Sequence, residues 1–119
     1  MATILIVDDD VGMVETLEDI LMLHRYEVLT ADSGEAAVAL VKSRAPDVVL
    51  MDIRMPGLNG VHALQAMKRT VPDIKVIMMT AFTRDELVEE AWRADPVAVV
   101  PKPLDLAHVM TLVQRVAPV

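Results

Sequence analysis

The chain of 119 residues contains no cysteine. Thiolate metal sites and structural disulfides are therefore excluded, an absence that suits a reducing, cytoplasmic setting. Long apolar runs are missing as well. The longest, residues 36 to 41, has six members, against the roughly 20 needed to span a bilayer. The N-terminal Met-Ala-Thr carries no cationic signal-peptide region, so a soluble, unprocessed protein is expected. Basic clusters are also lacking. Eleven Lys and Arg residues lie scattered among eighteen Asp and Glu, for a net charge of -7; such a surface repels a phosphate backbone and argues against direct nucleic-acid binding by this domain.

What is present is apolar material, 54% of the chain, enough for a core without cross-links. Four short runs, ILIV (4 to 7), VVLM (48 to 51), VIMM (76 to 79) and VAVV (97 to 100), read as strands buried on both faces of a parallel sheet. YEVLT (26 to 30) is a fifth, more polar strand for a less covered position. Helical spacing fills the gaps: 11 to 24, 34 to 44 behind a Ser33 cap, 60 to 70, 84 to 94, and 105 to 116 with Asp105 as its cap. Five alternating strand and helix units predict an α/β sheet covered by helices on both faces. Pro96 and Pro101 bracket VAVV, and a residue without an N–H suits an edge strand. With no repeat or linker, residues 1–119 are read as one domain.

Polar residues fall immediately after the strands. Asp8, Asp9 and Asp10 follow the first, Asp52 the third, Thr80 the fourth, and Lys102 comes two residues after VAVV. In a parallel sheet these carboxyl ends share one rim, where ligands bind. Carboxylates a few Å apart resist joint ionisation unless a cation is shared, and an oxygen-only donor set suits Mg²⁺. Asp10 is equally well placed to cap the helix beginning near Val11. Taken singly, Lys102 is an ordinary surface lysine and Thr80 a strand-end cap; together with a metal-bound carboxylate they suit phosphoryl chemistry, with Asp52 as nucleophile. The three histidines show no metal-ligand spacing, and Trp92 is read as a partly buried helix residue in preference to an interface anchor.

The pieces ILIVDDD, VVLMDIRMPGLNG, VIMMTAF and PKP resemble, in order and spacing, the receiver domain of two-component response regulators. The resemblance covers nearly the whole chain and implies a flavodoxin-like (βα)5 three-layer sandwich with strand order 2-1-3-4-5. It further implies that Asp52 accepts phosphate from a sensor histidine kinase or phosphotransfer protein, making the domain a signalling module and not an enzyme. Asp8, Asp9, Asp52 and the Arg54 carbonyl would hold Mg²⁺ or Mn²⁺, Asp8 partly through water. The Ile53 and Ala81 amides, Thr80 and Lys102 would hold the phosphoryl oxygens and respond to them. Pro56, Gly57 and Gly60 would shape the loop after Asp52, and the Lys102–Pro103 bond would be cis. Downstream, the face of the last two helices and VAVV would address an output domain, a partner protein or a second copy of the chain.

The sequence also departs from the family pattern. Val99 stands where an aromatic is usual, Asp95 where a glycine commonly follows the fourth helix, and Leu104 where an aromatic often follows K-P. Val99 motivates one alternative, a pseudo-receiver that is never phosphorylated. The other is a haloacid-dehalogenase-like phosphatase, with Asp8 as nucleophile and Asp10 as acid in a D-x-D motif. Phe82 is expected to pack over the helix that follows it.

Overall fold

The computed structural model describes residues 1–81 and 86–118. Five strands alternate with five helices: β1 (Thr3–Val7), α1 (Val11–Leu23), β2 (Glu27–Ala31), α2 (Gly34–Arg44), β3 (Val48–Asp52), α3 (Gly60–Thr70), β4 (Lys75–Thr80), α4 (Glu86–Arg93), β5 (Ala98–Pro101) and α5 (Leu106–Val116). The sheet is wholly parallel with order β2-β1-β3-β4-β5. This is the flavodoxin-like arrangement, and it puts β5 at an edge, as suits Pro96 before the strand and Pro101 as its last residue. Phe82 and the expected start of the fourth helix lie outside the described residues.

Alternate residues of each central strand enter one of two cores. Leu5, Val49, Met51, Val76 and Met78 meet α2, α3 and α4 through Ala37, Val41, Leu64, Met67 and Ala91. On the opposite face Ile4, Ile6, Leu50, Ile77 and Met79 meet α1 and α5 through Leu17, Leu21, Val109 and Val113. Every residue of β3 is buried, whereas β2 is only half covered, which explains the apolar continuity of one and the polar character of the other. Each buried aliphatic side chain contributes roughly 1.5–3 kcal/mol relative to exposure.

The helix termini follow local chemistry. Asp10, Ser33, Asn59 and Asp105 each accept the amide of the residue three positions on, a cap contributing about 1 kcal/mol. Asp95 adopts a left-handed conformation (φ 63°) in place of the more usual glycine. Lys68 steadies it, donating from Nζ to the Asp95 carbonyl at 2.5 Å and lying 3.6 Å from its carboxylate. Trp92 differs from expectation. It is 52% exposed, because the short α4 turns Ala91 inward and leaves its neighbour outside.

Candidate functional site

The carboxyl ends of β1, β3, β4 and β5 converge on one rim. Asp8 follows β1, Asp52 closes β3 and Thr80 closes β4, and all three are buried although polar. Lys102 follows β5; its own amide donates to the Thr80 carbonyl at 2.7 Å, extending the β4–β5 ladder beyond the Thr80 and Pro101 pair. This ladder aims the lysine side chain back over the sheet. Lys102 Nζ lies 2.9 Å from Asp8 Oδ2 and 3.0 Å from Asp52 Oδ2. The remaining oxygens are also used: Asp8 Oδ1 accepts the Asp10 amide at 2.9 Å, and Asp52 Oδ1 accepts the Arg54 amide at 3.3 Å.

The electrostatics explain why acids and a lysine can share this space. Burial pushes the Asp52 carboxyl above its ordinary value and the Asp8 charge adds to that, while the Lys102 ammonium and the Arg54 amide pull back without cancelling the rise. Burial by itself would lower the Lys102 pKa. Its hydrogen bonds and ion pairs with Asp8 and Asp52 outweigh that effect, and the ammonium is held above its usual range. The lysine therefore stays charged and compensates part of an excess of negative charge.

One carboxylate oxygen from each of Asp8, Asp9 and Asp52 can be chosen so that all lie within 4.8 Å of one another. A hard divalent cation fits this oxygen-only set, and the excess of acids over the one lysine gives it a reason to bind. Asp10 does not join the group; it caps α1 by accepting the Met13 amide at 3.3 Å. All three histidines are exposed and outside it too.

The loop between β3 and α3 differs from expectation at one point. The Ile53 amide, assigned to phosphoryl oxygens, instead donates to the Met79 carbonyl at 3.0 Å, and the Ile53 carbonyl accepts the Gly60 amide at 2.7 Å. The β3–β4 ladder runs one residue beyond Asp52, so Ile53 is a structural clamp and the Arg54 amide is the one beside the carboxylate. Gly60 lies so close that a Cβ would meet the Asp52 carbonyl and stand 2.8 Å from Ile53 Cα. Pro56 borders a cleft with Asp8 and Asp9, Gly57 has a φ of 77°, and Lys102–Pro103 is cis. Ala81 is exposed at the lip, lining a second cleft with Asp10, Lys102, Pro103 and Leu104. Val99 lies half-buried against the core on the α2–α4 face. Sequence reasoning overlooked Glu35, whose carboxylate accepts the Leu58 amide in this loop at 2.8 Å; an acid in the first turn of a helix gives no sign of so distant a partner.

Fold and rim together define a flavodoxin-like α/β protein with a lysine-bridged acidic site at the carboxyl edge of its sheet. The family described as the response regulator receiver domain matches residues 4–114, and the chain belongs to that family. It is 40% identical, over 94% of its length, to the regulatory protein AtoC of Escherichia coli, of which it spans 24%. It thus spans about a quarter of several transcriptional regulators that it matches. Sporulation initiation phosphotransferase F of Bacillus subtilis is 31% identical, with 97% of this chain and 93% of that protein covered. Among solved structures, a CheY-like receiver domain protein of Methanospirillum hungatei superposes with a TM-score of 0.92 at 26% identity, covering 97% of this chain and 92% of that one.

The chain is thus a receiver domain of two-component signalling, a class of signalling modules. The phosphatase and pseudo-receiver readings are not favoured. In particular, the D-x-D pair is otherwise engaged: Asp8 is bound to Lys102 and the Asp10 amide, and Asp10 caps a helix. No helix among the described residues is long and apolar enough to cross a membrane.

Proposed function

We propose that Asp52 accepts a phosphoryl group from a phosphohistidine on a sensor histidine kinase or phosphotransfer protein, and that its gain and loss switch affinity for a partner or output domain. The reading is carried by one observation: a carboxylate 8% exposed at the end of a central strand, 3.0 Å from the Lys102 ammonium. In the transfer, a carboxylate oxygen of Asp52 bonds to phosphorus while the P–N bond of the donor breaks and its electron pair passes to the imidazole nitrogen. No protein base is required, because the attacking group is already a carboxylate.

Lys102, which bridges Asp8 and Asp52 beforehand, follows the negative charge onto the phosphoryl oxygens. The Thr80 hydroxyl, at the end of the neighbouring strand, and the Arg54 and Ala81 amides flank the same position. Mg²⁺ or Mn²⁺, held by the Asp8, Asp9 and Asp52 carboxylates and the Arg54 carbonyl, would neutralise charge on the transferring group. Movement of Thr80 and Lys102 reaches β5 through the 2.7 Å bond between their main chains, and so the surface of α4, β5 and α5. With Val99 on β5, that relay works without an aromatic. Trp92 makes this surface a candidate for contact with a downstream protein, an output domain or a second copy. The domain acts in the cytoplasm as a switch, with no substrate of its own to turn over.

The test is incubation with acetyl phosphate and Mg²⁺, followed by peptide mass analysis after trapping of the acyl phosphate. Label on Asp52, absent from Asp52→Ala, is expected. Equal labelling of both proteins overturns the assignment.

A further inference from the structure

The loop that leaves Asp52 is held at two places, and only one of them belongs to the sheet. At its base, Ile53 bonds to Met79 and Gly60. At its tip, the Leu58 amide donates to Glu35 Oε1 at 2.8 Å, a contact between residues 23 positions apart. The approach is close at the level of the backbone: a Cβ on Gly34 would stand 2.5 Å from the Leu58 carbonyl oxygen and 3.1 Å from its Cβ. The first turn of α2 therefore lies directly against the loop. The Glu35 carboxyl is held below its ordinary value by hydrogen bonds from its own amide and the Leu58 amide, which outweigh the opposing effect of burial, with the Ser33 hydroxyl adding to them. It is ionised at neutral pH, and its hydrogen bond to Leu58 is charge-assisted.

Between these two anchor points run residues 54 to 57, which include Arg54, with its amide on Asp52 Oδ1, and Pro56, in the cleft with Asp8 and Asp9. We propose that Glu35 is a positioning residue for the cation and phosphoryl site, latching Leu58 so that the loop presents the Arg54 main chain to Asp52. The proposal rests on the reading of Asp52 given above. It makes α2, which contributes no group to the site, the support for one wall of it. Groups that orient a metal site from outside its ligand set typically change affinity by about 10–100-fold. Glu35 acts one step further out, and its removal is expected to weaken Mg²⁺ binding by about 3–10-fold.

The experiment compares wild type, Glu35→Ala and Glu35→Gln by Mg²⁺ titration followed through backbone amide resonances, with hydrogen exchange measured at Leu58. Glu35→Ala is expected to weaken Mg²⁺ and to speed exchange at Leu58. Glu35→Gln keeps an acceptor oxygen and is expected to restore both to within about twofold of wild type, a rescue that general loss of stability would not produce. Unchanged Mg²⁺ affinity in Glu35→Ala, with Leu58 exchange accelerated, overturns the positioning role alone. Failure of the glutamine to rescue overturns the hydrogen-bond latch. If Mg²⁺ leaves Asp8, Asp9 and Asp52 of the wild type unperturbed, the reading of the site itself fails and the proposal with it.

Discussion

Lys102 Nζ lies 3.0 Å from Asp52 Oδ2 although fifty positions separate the two residues. The same ammonium is 2.9 Å from Asp8, so one cation compensates two buried acids that would otherwise repel. Lys102→Met should strand both carboxylates, and urea unfolding without divalent cations is expected to show a loss of about 1–3 kcal/mol. Adding Mg²⁺ should narrow the deficit. A variant as stable as wild type in metal-free buffer would show that the pair contributes nothing to the resting state.

Asp9 is exposed yet belongs to the acidic triad. Its effect on stability should change sign with the metal. In metal-free buffer Asp9→Ala removes repulsion and is expected to match or exceed wild type. Saturation at a hundredfold over Kd should stabilise wild type by about 2.7 kcal/mol and the variant by much less. Equal gains for both proteins in thermal melts would remove Asp9 from the site.

Tyr26 closes the far end of the molecule. It is 3% exposed, and its hydroxyl donates to the Ala117 carbonyl at 2.8 Å across 91 positions of sequence. Tyr26→Phe is expected to lose about 1 kcal/mol by denaturant unfolding at neutral pH. Burial raises the phenol pKa, which means that the folded state holds this proton more tightly than the unfolded one. The associated stability is complete below the unfolded value of about 10 and declines as pH rises through the folded value. Between about pH 10 and that folded value wild type should lose stability faster than Tyr26→Phe. Tyr26 is the only tyrosine, so phenolate absorbance follows it directly; titration at the free-tyrosine value would contradict the burial argument.

Ala45 ends α2 with a φ of 44°, in a region where an L side chain is penalised by roughly 1–2 kcal/mol. Glycine carries no such penalty there, though it raises the entropy of the unfolded chain. Ala45→Gly is expected to stabilise the domain by about 0.5–1 kcal/mol, with phosphoryl acceptance unchanged. A fall in melting temperature would refute the strain.

The element map was legible because its causes are local. ILIV and VVLM are continuous apolar runs with no polar face, the prolines beside VAVV name an edge, and Ser33 and Asp105 announce the helices they cap. The site was legible for a related reason: parallel connections return every strand to the same rim, so acids, threonine and lysine placed after strands must meet. The exposure of Trp92 was not legible because helical periodicity over the eight residues of α4 leaves open which face a neighbouring strand will cover. The place of the Ile53 amide was not legible because a ladder ends where its hydrogen bonds end, here one residue beyond Asp52 and two beyond the apolar run.

Strand and helix identity, the parallel sense of the sheet and the acidic rim therefore follow from short-range chemistry, where each residue's own φ preference, hydropathy and capping ability suffice, whereas the strand order is what the family resemblance implies and the structure shows. The pairing of Lys102 with both Asp8 and Asp52, the grip of Glu35 on Leu58 and the bond from Tyr26 to Ala117 arise only once the layers have docked. Each depends on differences of about 1 Å in the approach of segments 23 to 94 residues apart, and hydrogen bonds weaken steeply over that distance.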